Sequence, residues 1–258
     1  MPDPAVIAHR GASAHAPENT LAAFALAAEM GASHIETDLR RTRDGRFVLV
    51  HDARVNRTTD GFGRLSQLTL SEVRRLDAGS WFGRAFAGER IPTLEEGLTL
   101  TNERGLGIYL EIKIPLDAAL LFALAQSFQQ SHLERAVLLS FRPAVLRALR
   151  AVEPRWKTAL LLRRARVSLP AAREAGVGIV APHRKRITKR LAVQARRAGL
   201  GVVTWTVNGR RGMRKMLGLG LDGIMTDWPD RLNEVIDERK RAGRLLLPRV
   251  LVPASKDR

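Results

Sequence analysis

The chain has 258 residues, of which 45% are hydrophobic and 27% are charged, and its formal net charge is +17. These proportions are typical of a globular protein, and the length is close to that of one (β/α)8 barrel. Because the chain contains no cysteine, disulfides, thiolate metal sites and a cysteine nucleophile are excluded.

The N-terminal residues and the charge bear on location and partners. The first residues lack the basic and apolar segments of a secretory signal, and no apolar run approaches the roughly 18 residues that span a bilayer. We therefore predict a cytoplasmic protein. The large positive charge favours anionic partners, such as a phosphate-bearing small molecule or, in a peripheral contact, an anionic membrane. No motif for specific nucleic-acid binding is present, and the oligomeric state is left open.

Short β-rich runs alternate with helical patterns along the chain, which is typical of βα units and a parallel sheet. One helix is predicted to follow Asn19 and end at Gly31, a second begins at a capping box formed by Thr93 and Glu96, and a third covers residues 188–199. The predicted strands are residues 6–9, 34–39, 47–51, 108–112, 136–141, 158–162, 177–181, 202–207 and 223–226.

Nine strands are one more than a (β/α)8 barrel needs. The dipeptide Asp44-Gly45 predicts a tight hairpin, which can join only antiparallel strands. Strand 47–51 should therefore run back along strand 34–39 as an arm outside the barrel. The remaining eight parallel strands favour an α/β fold of the (β/α)8 TIM-barrel class, with an open doubly wound sheet as the alternative.

The predicted domain organisation is one TIM-barrel domain over residues 1–236, followed by a basic C-terminal tail, residues 237–258. Residues 52–92 show no clear alternation of strand and helix patterns. They are predicted to form a small loop-rich insertion over one end of the barrel, where such segments often shape a substrate pocket.

Two carboxylates lie two residues apart in the second predicted strand. Glu36 and Asp38 should therefore point to the same face, where two buried negative charges must be protonated, paired or bound to a cation. A two-residue turn at Asp44 and Gly45 would place Asp38 opposite His51, with Cβ atoms about 5 Å apart. The hairpin thus predicts a histidine beside the acidic pair.

The ends of two other strands carry charged side chains as well. Glu111 and Lys113 repeat the same spacing on strand 108–112, and His9 and Arg10 end the first strand. In a (β/α)8 barrel the C-terminal strand ends form one rim, where active sites lie. Three carboxylates, two histidines and two cations should therefore meet there. Oxygen ligands suit Mg²⁺ or Ca²⁺, and the imidazoles are free for proton transfer.

Eight short motifs spread from residue 5 to about residue 235 resemble the glycerophosphodiester phosphodiesterase family in both order and spacing. Each motif is short, but their joint order is specific. The motifs are His9-Arg10-Gly11, Pro17-Glu18-Asn19-Thr20, Glu36-Thr37-Asp38, Asp44-Gly45, His51-Asp52, Leu110-Glu111-Ile112-Lys113, Trp205-Thr206-Val207-Asn208 and Asp222-Gly223-Ile224-Met225-Thr226-Asp227.

The resemblance implies a metal site and an acid/base pair. Glu36, Asp38 and Glu111 would bind one divalent cation, Mg²⁺ or Ca²⁺. His9 and His51 would exchange protons with the attacking hydroxyl and with the leaving alcohol.

The resemblance also implies three substrate contacts. Arg10 and Lys113 would hold the phosphate, and Trp205 would form an apolar wall. Glu18 and Asn19 are expected to fix the first loop rather than to react.

The implied function is metal-dependent hydrolysis of glycerophosphodiesters to sn-glycerol 3-phosphate and an alcohol, a phosphoric diester hydrolase activity of lipid and glycerol metabolism. Either water or the neighbouring glycerol hydroxyl could attack. One alternative is lysophospholipase D activity on acylated substrates, in an apolar channel shaped by Trp81, Phe82 and Phe86. An alternative of another class is a non-catalytic protein that binds polyanions through its positive charge.

Overall fold

Eight parallel strands close into a barrel in the computed structural model, which describes residues 3–163 and 169–245. The strands are β1 (Ala5–His9), β2 (His34–Arg41), β3 (Phe47–Leu49), β4 (Gly107–Ile112), β5 (Ala136–Ser140), β6 (Lys157–Leu162), β7 (Ile179–Pro182), β8 (Gly201–Thr204) and β9 (Gly223–Thr226). Around the barrel their order is β1, β2, β4, β5, β6, β7, β8 and β9, and β9 pairs with β1. The predicted barrel is confirmed, and an open sheet is excluded.

Helices follow most strands and cover the outside of the barrel. Thr20, Thr93, Asp117 and Thr188 each start a helix by accepting a hydrogen bond from a backbone N–H in its first turn, and the predicted capping box of Thr93 and Glu96 is present. None of the described helices is both long and apolar enough to cross a bilayer. The helices are α1 (Leu21–Glu29), α2 (Leu70–Val73), α3 (Leu94–Glu103), α4 (Ala118–Ser131), α5 (Pro143–Val152), α6 (Leu169–Glu174), α7 (Lys189–Arg197), α8 (Arg210–Gly218) and α9 (Pro229–Leu245).

Apolar side chains fill two layers, one inside the barrel and one between the barrel and the helices. Tyr109 and Leu139 belong to the inner layer, whereas Leu110 and Leu138, their neighbours on the same strands, pack under the helices. Because both faces of each strand are buried, the strands appear in the sequence as nearly continuous apolar runs. The polar groups of the functional site can therefore collect only at the strand ends.

The hairpin between β2 and β3 is antiparallel as predicted, but its register differs by one residue. Arg40 pairs with Val48, and the backbone N–H of Val50 donates to the carbonyl of Asp38 at 2.9 Å. Asp38 therefore lies opposite Val50, and the predicted pairing of Asp38 with His51 is wrong.

The turn itself explains the shift. The N–H of Thr42 donates to the carbonyl of Arg46 at 3.0 Å, which leaves three residues in the loop instead of two. Gly45 has a φ of 82°, the left-handed conformation that completes a three-residue hairpin loop. The extra loop residue moves every later residue of β3 by one position, and His51 comes to lie beyond the end of the strand.

Residues 52–92 fold as a small layer with an apolar cluster of its own. Val48 in β3 and Val50 directly after it pack against Val55, Leu65 and other apolar residues of this segment. It contains α2 and two short 3-10 helices, Leu65–Gln67 and Arg84–Phe86.

The predicted division between a barrel domain and a C-terminal tail stays a prediction, and one helix spans the predicted boundary. Helix α9 continues without interruption from Pro229 to Leu245, so the boundary predicted at residue 236 falls inside a helix. The rest of the predicted tail, residues 246–258, lies outside the described residues.

Candidate active site

Three carboxylates meet at the C-terminal rim of the barrel. Glu36 and Asp38 belong to β2, and Glu111 on the adjacent strand β4 is the register partner of Asp38. One oxygen atom from each of the three lies within 4.8 Å of the others. The residue spacing on the two strands brings them together, because i and i+2 residues point to the same side.

The acidic cluster is electrostatically unfavourable without a cation. Burial and the neighbouring charge of Asp38 raise the pKa of Glu36 to about 8, and the same two causes raise the pKa of Glu111. Burial also acts against the charged form of Asp38, but Lys113 and Arg10 hold its pKa well below the usual range. Three carboxylates in one buried place are the hard oxygen donors that Mg²⁺ and Ca²⁺ prefer, so these residues fit a divalent cation.

Two cations of the protein already partly neutralise the cluster. Lys113 Nζ lies 3.1 Å from Asp38 Oδ1 and 3.0 Å from Glu111 Oε1. Arg10 Nε lies 3.4 Å from Asp38 Oδ2, and Arg10 Nη1 donates to Glu18 Oε1 at 2.9 Å. Glu18 therefore holds the guanidinium of Arg10 in place.

His9 is held by an aspartate from the far end of the chain. Its Nδ1 lies 2.6 Å from Asp227 Oδ1, and its Nε2 faces Glu36 Oε2 at 3.9 Å. Asn208 and Ser13 donate to the carboxylate of Asp227. Although burial acts against protonation, the hydrogen bond with Asp227 and the charge of Glu36 outweigh it and raise the pKa of His9.

His51 has a similar arrangement with its sequence neighbour. Its Nδ1 lies 2.6 Å from Asp52 Oδ1, and Arg57 Nε donates to Asp52 Oδ2 at 2.6 Å. Burial lowers the pKa of His51 despite the charge of Asp38. In both pairs the aspartate engages Nδ1, which leaves Nε2 as the nitrogen available for another partner.

One cavity of about 290 Å³ connects these groups. Seven of the eight predicted site residues line it: His9, Arg10, Glu36, His51, Glu111, Lys113 and Trp205. The eighth, Asp38, lies directly behind them with 1% of its surface exposed and accepts a hydrogen bond from Asn19 Nδ2 at 2.9 Å. The indole N–H of Trp205 donates to the carbonyl of Ala181 at 2.7 Å, which fixes the ring in the cavity wall.

Four further residues line the same cavity, and the sequence patterns alone did not single them out: Phe141, Leu161, Arg163 and Met225. Each lies within, or directly after, the C-terminal end of a predicted strand. The rule that active sites form at these strand ends could have identified them as candidates. The sequence does not show which side chains Asp52, Asn208 and Asp227 contact, because their partners depend on the folded structure.

Residues 9–231 match the profile of the glycerophosphoryl diester phosphodiesterase family. The chain belongs to this family. A relative from Bacillus subtilis (strain 168) is 38% identical over 232 residues, which cover 87% of this chain and 95% of the relative. The glycerophosphodiester phosphodiesterase of Caldanaerobacter subterraneus subsp. tengcongensis is 37% identical over 235 residues, covering 90% and 97%.

A solved structure resembles the chain in its three-dimensional fold. It is a phosphodiesterase from Oleispira antarctica in complex with the product sn-glycerol-3-phosphate, with a TM-score of 0.85 and 30% identity. The alignment covers 91% of this chain and 97% of that one. The family, the fold and the enzyme class expected from the sequence motifs are therefore confirmed.

Proposed function

We propose that this phosphodiesterase hydrolyses glycerophosphodiesters to sn-glycerol 3-phosphate and an alcohol, with one bound Mg²⁺ or Ca²⁺ and with His9 and His51 as the acid/base pair. The observation that carries the proposal is the shared cavity, which brings both histidines to the carboxylates Glu36 and Glu111. The product bound to the related Oleispira antarctica enzyme supports the choice of substrate class.

The cationic side chains suit an anionic substrate. A phosphodiester repels nucleophiles, and negative charge builds up on its phosphoryl oxygens during the reaction. Arg10 lines the cavity and is held there by Asp38, 3.4 Å from its Nε, and by Glu18, 2.9 Å from its Nη1, so its positive charge faces the place of the phosphate. Lys113 lines the cavity beside it. A divalent cation held by Glu36, Asp38 and Glu111 supplies further electrostatic stabilisation when bound.

The two histidines suit the two proton transfers of the reaction. Because each Nδ1 is engaged by an aspartate, protons move at Nε2. One of His9 and His51 removes the proton of the attacking hydroxyl, and the other protonates the departing alcohol. The attacking hydroxyl belongs to water or to the neighbouring carbon of the glycerol. In the second case the alcohol leaves as a cyclic phosphate forms, and water then opens this cyclic phosphate to sn-glycerol 3-phosphate.

The direct test is the release of sn-glycerol 3-phosphate from a panel of glycerophosphodiesters, with Mg²⁺ and Ca²⁺ added separately. We expect activity with at least one cation, and losses of at least about a hundredfold in excess EDTA, in His9→Ala and in His51→Ala. Full activity in EDTA would contradict the metal requirement, and full activity in either variant would contradict the acid/base pair.

The size of the cavity favours substrates without an acyl chain over the lysophospholipase D alternative. A volume of about 290 Å³ lies at the small end of the range for ligand sites and suits a deacylated diester. Trp81, Phe82 and Phe86 stack edge to face on one another, and none of the three is among the described residues that line the cavity. The cytoplasmic location and the peripheral membrane contact stay predictions.

A further inference from the structure

The three lysine and arginine side chains that line the cavity, Arg10, Lys113 and Arg163, differ in their ion pairs. Lys113 contacts Asp38 and Glu111, and Arg10 contacts Asp38 as well. Arg163 directly follows β6 and lines the same cavity, but it forms no ion pair or side-chain hydrogen bond with any residue of 3–163 or 169–245. Its charge is therefore not compensated by the described part of the protein.

Arg163 also lies across the barrel from the proposed catalytic groups. His9 ends β1 and Glu36 belongs to β2, whereas β6 is three strands from β2 and four strands from β1 around the ring. A substrate that fills this cavity with its phosphate at the catalytic groups would have its other end near Arg163. Phe141 and Trp205, whose rings lie 5.7 Å apart, form the wall along this path.

The rim on the side of Arg163 carries positive charge without acidic residues. The described loops after β5, β7 and β8, residues 141–142, 183–188 and 205–209, contain no aspartate or glutamate. They carry the basic residues Arg142, Arg184, Lys185 and Arg186. The carboxylates that line the cavity, Glu36 and Glu111, belong to β2 and β4, three and two strands from β6 around the ring. The cavity is therefore polarised, with an acidic cation site at one end and uncompensated positive charge at the other.

We propose that Arg163 forms a second anion-binding subsite, which binds a phosphate or carboxylate carried by the alcohol portion of the substrate. The inference rests on the proposed function and specifies its substrate class. A guanidinium forms paired, charge-assisted hydrogen bonds with such groups. A choline or ethanolamine cation at the same place would be repelled by Arg163 and would find no carboxylate there. The enzyme should therefore prefer diesters with an anionic alcohol.

Two substrates that differ by one glycerophosphate unit test this directly. In glycerophosphoglycerol the leaving glycerol is neutral, whereas in bis(glycerophospho)glycerol it carries a second phosphodiester. We expect initial rates of sn-glycerol 3-phosphate release to give a kcat/KM about tenfold higher for the second substrate, the value expected of one charge-assisted contact. Glycerophosphocholine should have the lowest kcat/KM of the three substrates. A fourth substrate, glycerophosphoserine, tests whether a carboxylate can bind at Arg163 in place of the second phosphate.

Variants of Arg163 connect the preference to this side chain. Arg163→Gln should reduce the ratio of kcat/KM between bis(glycerophospho)glycerol and glycerophosphoglycerol about tenfold. Arg163→Lys should keep part of the ratio, because lysine keeps the charge but not the paired hydrogen bonds of the guanidinium. Arg184→Gln removes an arginine from the same rim that does not line the cavity, and it should keep the wild-type ratio. An unchanged ratio in Arg163→Gln, or an equal loss in both glutamine variants, would overturn the subsite.

Failure of this inference can be told apart from failure of the proposed function. If the proposed function is wrong, the wild-type enzyme releases no sn-glycerol 3-phosphate from any of the four substrates. If only the subsite is wrong, the enzyme hydrolyses them with a ratio that does not depend on residue 163. If Arg163 instead contacts the glycerol end common to all four, Arg163→Gln lowers every kcat/KM by the same factor, which also contradicts the proposal.

Discussion

At the scale of single residues, Asp227 contacts His9 but is not among the described residues that line the cavity, so we expect it to orient His9 rather than to touch the substrate. It engages His9 Nδ1 at 2.6 Å, and its hydrogen bond is one of the causes that raise the pKa of His9. The Asp227→Asn variant keeps the size of the side chain but removes its charge. We expect kcat to fall by about 10 to 100-fold with a smaller change in KM, as for other residues that orient a functional histidine.

The pH profile distinguishes this role from a merely structural one. Because Asp227 raises the pKa of His9, the limb of the kcat profile that reports His9 should move to lower pH in Asp227→Asn. Asp230→Asn is the matched control, since Asp230 contacts His15 at 3.3 Å instead of His9. A profile that stays in place, or an equal effect of the control, would count against the assignment.

The division of labour between His9 and His51 can be read from the leaving group. A p-nitrophenyl ester of glycerol phosphate has a leaving group that needs no protonation, so it bypasses the general acid but not the general base. Relative to the wild type, the variant that lacks the general acid, either His9→Ala or His51→Ala, should lose at least about tenfold less activity on this ester than on glycerophosphoglycerol. Equal impairment of both variants on both substrates would contradict the division into acid and base.

Glu36 should lower the thermal stability of the protein when no divalent cation is present and raise it when a cation is bound. The pKa of about 8 shows that burial disfavours its charged form. We therefore expect Glu36→Gln to melt at the same or a higher temperature than the wild type in EDTA. Added Mg²⁺ or Ca²⁺ should raise the melting temperature of the wild type but not that of the variant.

The control for this measurement is Glu134→Gln, which changes an exposed carboxylate that lies outside the acidic cluster. It should keep the wild-type response to the cations. Cation stabilisation that persists in Glu36→Gln would remove Glu36 from the proposed ligand set.

At the scale of elements, the positions of the strands were predicted more accurately than the register of the hairpin between β2 and β3. Periodicity and the dipeptide Asp44-Gly45 identified the eight barrel strands and the antiparallel arm, because these are local properties of the chain. The register of β2 and β3 depends on a single loop residue, which the dipeptide does not specify. His51 nevertheless reaches the cavity, because the chain continues along the rim beyond β3.

Contacts between residues far apart in the chain could not be predicted from the sequence. Asp227 and His9 are separated by 218 positions, and only closure of the barrel, with β9 beside β1, brings them together. Arg163 likewise lines the site only because the closed ring brings the end of β6 to the same rim as the end of β1, four strands away. Residue types at strand ends can be predicted from the sequence, but their partners require the closed ring.

The hairpin turn itself gives a prediction about stability. Gly45 has a φ of 82°, and an added Cβ would meet nothing within 4 Å, so only the backbone conformation opposes a side chain there. Gly45→Ala should lower the free energy of unfolding by about 1 kcal/mol, and Gly45→Asn by less, since asparagine tolerates this conformation. Gly178→Ala is the control, because Gly178 is also open but outside the left-handed region. Denaturant unfolding of the wild type and the three variants measures these changes in the free energy of unfolding. Equal destabilisation by Gly45→Ala and Gly178→Ala would contradict the prediction.

At the scale of the whole molecule, the excess of positive charge should act on substrates before they reach the cavity. Lysine and arginine number 43 against 26 acidic residues, and the acidic residues that line the cavity face the proposed cation site. A positive field of this kind raises the local concentration of anions, and salt screens it over about 10 Å at 0.1 M.

Salt should therefore separate substrates by their net charge. With the divalent cation kept saturating, we expect kcat/KM for the anion glycerophosphoglycerol to fall several-fold between about 0.02 and 0.5 M salt. Glycerophosphocholine has no net charge, so its kcat/KM should change much less, and kcat should stay constant for both. Equal salt dependence for the two substrates would mean that the charge acts elsewhere on the molecule. The positive charge would then be expected to act in a contact with an anionic membrane. Comparing the binding of the protein to anionic and zwitterionic vesicles would test this.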